Sequence, residues 1–276
     1  MVKSERVKPF LKWAGGKRRM LPEIRACIPE KFGCYYEPFV GAGAVLFDLQ
    51  PKRAVINDIN KELINVYRVI MDDAEGLISD LKKHRNEKEY YYHIRDLDLT
   101  DSYHRMSNLE KASRIIYLNK TCFNGLFRVN KDGHFNVPFG KYSRPNFINE
   151  RTIRGVHRYF NENDVTILCT DFEEVAEGAG SGDFVYLDPP YDPRSTTSYF
   201  TGYSLDGFSR EDQLRLRDLF VDLDRRGCQV LISNSATSFI KDMYHNYHII
   251  VSSVSGLINS DGSKRGKIDE VLITNY

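Results

Sequence analysis

The feature that most restricts the fold is a series of short apolar runs that alternate with helical patterns. The runs are rich in β-branched and aromatic residues: Cys34–Glu37, Arg53–Asn57, Val165–Cys169, Asp183–Leu187 and Gln229–Ser233. Continuous apolar runs of this length are typical of strands that are buried on both faces of a parallel sheet. Because helices separate them, the sequence predicts an α/β fold with a mixed, mostly parallel sheet between layers of helices.

The C-terminal part of this pattern is different. The runs His248–Val251 and Ile268–Ile273 are separated by a polar loop rich in glycine and serine, which predicts a terminal antiparallel pair. Upstream of them, Ser209 precedes acidic residues, and Gly227 follows the apolar pattern. These signals predict a helix that begins after Ser209 and ends before Gly227.

The alternation of strands and helices stops between about Asp72 and about Tyr159. This stretch is rich in tyrosine, histidine and charge, and it contains one strong helical pattern from Leu109 to Lys120, followed by an aromatic loop rich in glycine, asparagine and proline. We interpret residues 72–159 as an insert in a catalytic domain formed by residues 1–71 and 160–276. A chain of 276 residues has room for both.

Composition argues against several classes of protein. The five cysteines are odd in number and scattered, which disfavours a disulfide framework or a zinc site and favours a reducing cytoplasm. No apolar run is long enough to cross a bilayer, and the N-terminus lacks the apolar core of a signal peptide. The seven histidines show no metal-ligand spacing. We therefore expect a cytoplasmic protein with neither a metal nor a membrane partner.

The net charge of +1 conceals three local basic clusters. They comprise Lys120, Arg128, Lys131, Lys141 and Arg144; Lys264, Arg265 and Lys267; and Lys12, Lys17, Arg18 and Arg19. A DNA duplex needs only one positive face, because its phosphates are bound by local lysines and arginines. Charge alone nevertheless favours an ordinary solvated surface.

A glycine-containing loop follows the first strand. It reads Glu37-Pro38-Phe39-Val40-Gly41-Ala42-Gly43 and precedes a helical run from Ala44 to Leu49. Glycines at such a turn let a ligand approach the helix N-terminus closely. Asp58, at the end of the next strand, fits the position of an acidic residue that binds ribose hydroxyls. The full dinucleotide motif is absent, so the loop indicates either another nucleoside-bearing cofactor or a simple turn.

A second motif, Asp188-Pro189-Pro190-Tyr191, follows the strand that ends at Leu187. The two prolines remove two N–H donors and stiffen the backbone, which leaves the Asp188 carboxylate and the Pro189 carbonyl as neighbouring acceptors. An exocyclic NH₂ group has two hydrogens that match this pair, and Tyr191 offers a flat face for stacking an extruded base. A rigid turn with an incidental aspartate is the alternative.

A third motif, Phe10-Leu11-Lys12-Trp13-Ala14-Gly15-Gly16-Lys17, contains the only tryptophan of the chain. By itself the motif does not distinguish a functional site from an anchoring aromatic side chain followed by a turn. The three motifs occur in this order, with an insert between the second and the third. In this combination the chain resembles the Dam-type DNA adenine-N6 methyltransferases over almost its whole length.

The resemblance implies a mixed, mostly parallel seven-stranded Rossmann-like methyltransferase sheet with a mainly helical target-recognition insert that carries a β-hairpin. It also implies transfer of a methyl group from S-adenosyl-L-methionine, which becomes S-adenosyl-L-homocysteine, to N6 of a flipped adenine at GATC. Double-stranded DNA is the expected partner, and single-stranded DNA and a cognate restriction endonuclease remain open. The expected location is the bacterial cytoplasm, at the nucleoid, and a phage origin also remains open.

Roles for single residues follow from the same resemblance. The implied cofactor-binding residues are Trp13, Lys17, Glu37, Phe39, Gly41, Gly43, Asp58 and Asp188. The implied catalytic residues are Asp188, Pro189, Pro190 and Tyr191. The implied DNA contacts are Lys12 to the outer guanine, Arg128 to a guanine, Leu126 and Pro138 to thymine, and Phe123 and Asn124 as a wedge in the base stack.

Other functions remain as alternatives. Methyltransferases that act on structured RNA or on a protein amide more often have asparagine in place of Asp188, and cytosine-N4 enzymes usually have serine there. A DNA-binding module without activity, which keeps the cofactor only as a structural ligand, is an alternative from another class. The intact Asp188 and Tyr191 disfavour it.

Overall fold

The computed structural model describes residues 7–13, 15–193, 207–255 and 267–276, with only the backbone of residues 253–255 and 267–268. Lys264 and Arg265 of the second basic cluster, and the loop between the last two predicted strands, lie outside the described residues. Across the described ranges, no helix has the length and the apolar character that a membrane span requires.

The described strands form a single sheet with the order β3-β2-β1-β4-β5-β7-β6. They are β1 Tyr35–Glu37, β2 Arg53–Asn57, β3 Asp164–Leu168, β4 Phe184–Leu187, β5 Gln229–Ser235, β6 His248–Ser255 and β7 Lys267–Thr274. Strand β1 is parallel to β2 and β4, and β4 is parallel to β5. Strand β7 is antiparallel to both β5 and β6. The predicted mixed, seven-stranded α/β fold is confirmed, as is the terminal antiparallel pair.

Helices separate most of the strands. In the described part of the chain they are α1 Leu21–Cys27, α2 Ala44–Leu49, α3 Lys61–Asp72, α4 Ala74–Leu81, α5 Lys88–Arg95, α6 Asp101–Arg105, α7 Asn108–Thr121, α8 Glu150–Glu162, α9 Phe172–Ala176, α10 Arg210–Arg225 and α11 Ser238–Met243. Helix α10 begins with a capping box, in which Ser209 and Asp212 satisfy each other's backbone N–H groups. The predicted cap at Ser209 is therefore confirmed.

The order of the strands places a switch point between β1 and β4. From β1 the sheet continues to β2 and β3 in one direction, and from β4 it continues to β5 in the other. In open α/β sheets, ligands bind beyond the carboxyl ends of the strands where this reversal occurs. Glu37 is the last residue of β1, and Asp188 directly follows β4. The fold thus brings a residue from each of two sequence motifs to a position suited to ligand binding.

The chain divides into two compact units. The first unit is Met1–Gly16, Val40–Lys52 and Asn57–Cys169, and the second unit is Lys17–Phe39, Arg53–Ile56 and Thr170–Tyr276. The predicted insert of residues 72–159 lies wholly within the first unit, which extends beyond it at both ends. The boundaries of the insert stay a prediction.

Each unit has its own core. In the first unit, α7 is buried on nearly all sides from Ala112 to Asn119, and α8 buries one stripe that includes Val156 and Phe160. In the second unit, every residue of β4 is buried, as expected for a strand with both faces covered. Apolar residues of α10, including Leu216 and Phe220, are buried in the same unit.

An unusual element of the first core is Arg114 on α7, whose side chain is 2% exposed. Its guanidinium donates hydrogen bonds to the carbonyls of Ile94 and Arg95 and forms a 2.8 Å ion pair with Asp98. The Asp98 carboxylate also accepts from the N–H of Phe135 at 2.9 Å. Arg114 therefore connects α7 to the C-terminal end of α5 and, through Asp98, to residue 135.

We predict that Arg114→Ala lowers the free energy of unfolding by about 3–5 kcal/mol, because it leaves the buried Asp98 carboxylate without its ion-pair partner. Urea-induced unfolding measures the change. Arg217→Ala is the control, since Arg217 pairs with the exposed Asp218, and we expect a change within about 0.5 kcal/mol. Equal effects of the two substitutions would contradict the structural role of Arg114.

Candidate active site

The carboxylate of Asp188 is held by two donors at the carboxyl end of β4. The ammonium of Lys17, from a short helical turn at Lys17–Arg19, lies 2.6 Å from Asp188 Oδ1. The hydroxyl of Ser233, on β5, donates to the same oxygen at 2.8 Å. The Lys17 and Asp188 side chains are 7% and 17% exposed, so the ion pair is largely removed from solvent.

Opposing effects act on the charge of Asp188. Burial raises the pKa of the carboxyl above its ordinary value, while the charge of Lys17 and the hydrogen bonds from Lys17 and Ser233 lower it. The positive charge of Lys17, in direct contact with the carboxyl, compensates part of the cost of burial. Lys17 thus contacts Asp188, a predicted catalytic residue. The predicted contact between Lys17 and the cofactor stays a prediction.

The ring of Tyr191 is also positioned by charged groups. The Lys17 ammonium lies over the ring, 4.6 Å from its centroid, and the Tyr191 hydroxyl donates to Glu270 Oε2 at 2.8 Å. Glu270 belongs to β7. Lys17, Asp188 and Tyr191 therefore lie together in the second unit, although they are far apart in sequence.

Buried polar side chains brace the backbone of the same loop. Gln213, on α10, donates to the Pro190 carbonyl at 2.8 Å, and its own side-chain oxygen accepts from Asn234 at 3.0 Å. Asn234 accepts from the N–H of Asp192 at 3.1 Å. Because proline has no N–H, neither Pro189 nor Pro190 can donate a backbone hydrogen bond to a neighbouring strand. The side-chain contacts hold it instead.

The sequence motifs did not predict four residues that contact this loop: Gln213, Ser233, Asn234 and Glu270. A signal was present for two of them, because the polar pair Ser233-Asn234 interrupts the apolar character of β5 near its carboxyl end. Polar residues at that end of a parallel strand are candidates for a site. Gln213 and Glu270 carried no comparable signal in the sequence.

Glu37 and Phe39 occupy the region after β1 in the second unit. Glu37 is buried, and its carboxylate accepts a 2.9 Å hydrogen bond from the Tyr35 hydroxyl. The ring of Phe39 packs against Phe172, with centroids 5.4 Å apart, and against Phe208 at 5.9 Å. The first unit holds the other half of this sequence motif, where Gly43, with φ of 70°, precedes α2 as its N-cap.

Gly41, Asp58 and Trp13 lie together in the first unit. The Asp58 carboxylate accepts hydrogen bonds from Gly41 N at 3.1 Å and from Asn60 N at 2.9 Å. Gly41 has φ of 48°, and a Cβ atom there would lie 3.1 Å from Trp13 Cδ1, so both backbone conformation and space favour glycine. Burial raises the pKa of Asp58 to about 6 despite the two N–H donors.

The N-terminal motif is fixed to α7 and to the loop that follows it. Both the N–H and the carbonyl of Lys12 bond to the side chain of Asn119, at 2.9 and 2.7 Å. Asn119 also donates to the carbonyl of Gly125. The Lys12 side chain lies where a Cβ of Gly125 would stand, and Gly125 has φ of 65°. Trp13 stacks on Phe127, with ring centroids 4.9 Å apart.

Phe123 and Asn124 form an exposed tip next to this contact. Phe123 is 51% exposed, which is unusual for a large apolar side chain, and Asn124 has φ of 56°, in the left-handed region. The N–H of Phe123 donates to the carbonyl of Pro138 at 2.8 Å. Leu126 is partly buried, whereas Pro138 is exposed.

Arg128 lies on a hairpin-like segment that turns at Gly133. Its two arms are joined by a bridge between Val129 and Phe135 and by backbone hydrogen bonds on either side of that bridge. The exposed Arg128 side chain donates through Nε to Asn136 Oδ1 at 2.7 Å and through Nη2 to the Asn136 carbonyl at 3.2 Å. The guanidinium is therefore oriented by the facing arm.

The family comparison decides between the alternatives. A model of the D12 class N6 adenine-specific DNA methyltransferase family matches residues 13–255. The chain belongs to this family. It is an adenine-specific DNA methyltransferase, and the predicted resemblance is confirmed. The alternatives of cytosine-N4, RNA and protein-amide methylation are thereby disfavoured.

Curated relatives agree with this over nearly their whole length. A type II methyltransferase of Lactococcus lactis subsp. cremoris is 45% identical over 272 residues, which are 98% of this chain and 96% of the relative. A type II methyltransferase of Methanocaldococcus jannaschii is 41% identical over 290 residues, covering 98% and 99%. The DNA adenine methylase of Vibrio cholerae is 35% identical over 271 residues, covering 95% and 94%.

We predict that Lys17→Met destabilises this methyltransferase more at high pH than at low pH. Without Lys17 the pKa of the buried Asp188 carboxyl rises further, so at about pH 5 more of it is neutral and the loss is small. At about pH 8 the unpaired carboxylate is buried, and the loss reaches about 3 kcal/mol.

Urea unfolding at the two pH values measures this difference. Arg18→Met is the matched control, since Arg18 is an exposed neighbour in the same turn. A loss in Lys17→Met that does not depend on pH would mean that packing of the lysine stem, rather than its charge, matters.

Proposed function

We propose that the chain transfers a methyl group from S-adenosyl-L-methionine to N6 of a flipped adenine in double-stranded DNA, at GATC sites. The observation that carries this proposal is the position of Asp188 and Tyr191 on a braced, proline-stiffened loop at the carboxyl end of β4, next to the switch point. A carboxylate and an aromatic ring on one rigid loop are suited to orienting a planar amino-substituted base.

The residues of the first unit fit a nucleoside. Each oxygen of the Asp58 carboxylate accepts one backbone N–H and retains a lone pair for a ribose hydroxyl. Gly41, which lacks a Cβ atom, lets the Trp13 ring pack against its backbone, so an aromatic face lies beside the Asp58 carboxylate that Gly41 binds. We propose that the remaining cofactor contacts come from Trp13, Lys17, Glu37, Phe39, Gly43 and Asp188. S-adenosyl-L-methionine, when bound, supplies an electrophilic methyl group on a sulfonium.

The amino group of adenine is a weak nucleophile, because its lone pair is delocalised into the ring. In the proposed mechanism, Asp188 and the carbonyl of Pro189 accept the two N6 hydrogens. These bonds favour a pyramidal nitrogen, so the lone pair becomes available for an in-line displacement. Pro190 keeps the loop stiff, and Tyr191 stacks on the base.

Asp188 acts mainly through its charge and position. As the N–C bond forms, positive charge grows on N6, and a carboxylate that is already oriented stabilises it without reorganisation. The N6 proton becomes acidic only after the bond has formed, so no strong base is needed beforehand. Lys17 keeps Asp188 anionic by opposing the effect of burial on its pKa.

For target recognition we propose the 72–159 insert, together with Lys12 from the N-terminal motif. Asn136 binds Arg128 through Nε and Nη2. The other end of the guanidinium, formed by Nη1 and the second Nη2 hydrogen, makes no hydrogen bond within the described part of the chain. That end has the donor spacing for O6 and N7 of guanine. Leu126 and Pro138 would contact thymine, and Lys12 the outer guanine.

The exposed tip of Phe123 and Asn124 is suited to enter the base stack and so to offset the cost of flipping the adenine. Four cations of the first basic cluster are exposed and available for phosphates: Arg128, Lys131, Lys141 and Arg144. The type II names of two relatives favour a role beside a restriction endonuclease, which we include in the proposal. Single-stranded DNA is a further candidate substrate.

We predict that expression in a host without adenine methylation places N6-methyladenine in GATC and in no other motif. Sequencing of modified bases in the genomic DNA measures this. Asp188→Ala should leave the DNA unmethylated while reducing cofactor binding less, and methylation by that variant would contradict the catalytic role. Methylation of another motif would overturn the proposed target while leaving the reaction intact.

We also predict that Arg128→Ala reduces the preference for guanine at one base pair of the site by about 1–3 kcal/mol, because it removes a paired donor contact. Rates of methylation of all single-base variants of the site measure the preference. The control is Lys131→Ala, which removes an exposed charge from the same segment and should weaken DNA binding uniformly across sequences. An unchanged preference in Arg128→Ala would exclude the guanine contact.

A further inference from the structure

Both donors that hold the Asp188 carboxylate bind the same oxygen. Lys17 Nζ lies 2.6 Å from Oδ1, and Ser233 Oγ lies 2.8 Å from Oδ1. Neither contact involves Oδ2, and the side chain keeps 17% of its surface exposed. The two oxygens of one carboxylate are thus in different situations, one occupied by the protein and the other not engaged by these donors.

The direction of the hydrogen bonds around Ser233 can be assigned. A carboxylate with an adjacent ammonium accepts, so Ser233 donates its single hydroxyl proton to Asp188. The 3.1 Å contact between Ser233 Oγ and the Tyr186 hydroxyl must then run from tyrosine to serine. Burial raises the pKa of Tyr186 well above its ordinary value, so the phenol retains its proton. Tyr186, Ser233 and Asp188 form a directed chain.

We propose that Ser233 is a positioning residue for methyl transfer, which holds Asp188 by Oδ1 and presents Oδ2 to the amino group of adenine. This inference deepens the proposed function and rests on it. Ser233 does not touch the substrate in this scheme. It acts through Asp188, and Tyr186 orients the Ser233 hydroxyl from behind.

The location of Ser233 supports this role. Its side chain is fully buried on β5, directly after Ile232, which pairs with Leu187 of β4. Ser233 itself lies opposite Leu272 of β7, so its position is fixed by the sheet rather than by a loop. Ser235, two residues further on, is also buried, but it donates to the backbone carbonyl of Asp192. Of these two serines, Ser233 is the one bonded to the proposed catalytic carboxylate.

Two features make a positioning effect large. A carboxylate rotates easily about its last bond, and lysine bonds are weakly directional, so Lys17 alone fixes the charge of Asp188 better than its orientation. A hydroxyl fixed on a strand adds the missing direction. Since hydrogen bonds to charged groups are the stronger ones, loss of this bond should cost about 10- to 100-fold in the rate of methyl transfer.

The test is single-turnover methylation of a duplex that contains one target site, with tritiated S-adenosyl-L-methionine. We expect Ser233→Ala to lower the single-turnover rate constant about 10- to 100-fold, with KM for DNA changed less than about threefold. Ser113→Ala is the matched control, since Ser113 is equally buried but bonds to His84 in the first unit. We expect it to leave the rate constant unchanged.

The pH profile separates positioning from structural damage. Loss of the Ser233 donor raises the pKa of Asp188, so the acidic limb of the rate constant should move to higher pH. The other ionisable groups that act on this carboxylate or on its immediate neighbours are Lys17, Tyr186, Tyr191, Glu37 and Glu270. Ser233→Ala leaves all of them in place. A lower rate with an unmoved limb would indicate a merely structural role and overturn the proposal.

A double-mutant cycle with Asp188→Asn distinguishes the positioning role of Ser233 from the catalytic role proposed for Asp188. If Ser233 acts through Asp188, Ser233→Ala should have little further effect in the Asp188→Asn background. Equal losses in both backgrounds would exclude the positioning role. If Asp188→Asn itself keeps the full rate, the proposed function fails. If only Asp188→Asn slows transfer and Ser233→Ala does not, this inference fails alone.

Discussion

The structure depends on the parallel pairing of β1 with β4, the two strands at which the sheet changes direction. Tyr35 and Tyr36 lie opposite Phe184 and Val185, and all four side chains are buried. This pairing fixes the register of the two strands, so the residues that follow them emerge at the same edge. On the other side of β4, the parallel pairing with β5 places Ser233 beside Asp188.

The cost of burying polar groups explains why the loop from Asp188 to Tyr191 has so many partners. An ionised carboxylate that leaves water must be paired and hydrogen-bonded, and Asp188 has both kinds of contact. Two successive prolines remove backbone donors, and the side chains of Gln213 and Asn234 provide replacement contacts on the C-terminal side of the loop. The groups that stabilise this loop are therefore also the groups that orient it.

In the first unit, steric space determines which residue can occupy two backbone positions. Gly125 and Gly41 have positive φ, and each is approached by a side chain of the N-terminal motif, Lys12 and Trp13 respectively. Asn119 ties both backbone groups of Lys12 to α7. Asn119 also donates to the carbonyl of Gly125, so one side chain joins the start of the chain to the loop that carries Phe123 and Asn124, more than a hundred residues later.

Four features could be predicted from the amino-acid sequence: the class of fold, the terminal antiparallel pair, the capped helix after Ser209 and the family. These features depend on local periodicity, on turn and cap residues, and on motifs that are contiguous in the chain. Three contacts could be recognised only in the folded chain: Lys17 with Asp188, Glu270 with the Tyr191 hydroxyl, and Asn136 with Arg128. Lys17 and Glu270 reach their partners through strand pairing and helix packing, and Asn136 reaches Arg128 across a turn of the chain. Their partners are set by three-dimensional register, which leaves no periodic signal in the sequence.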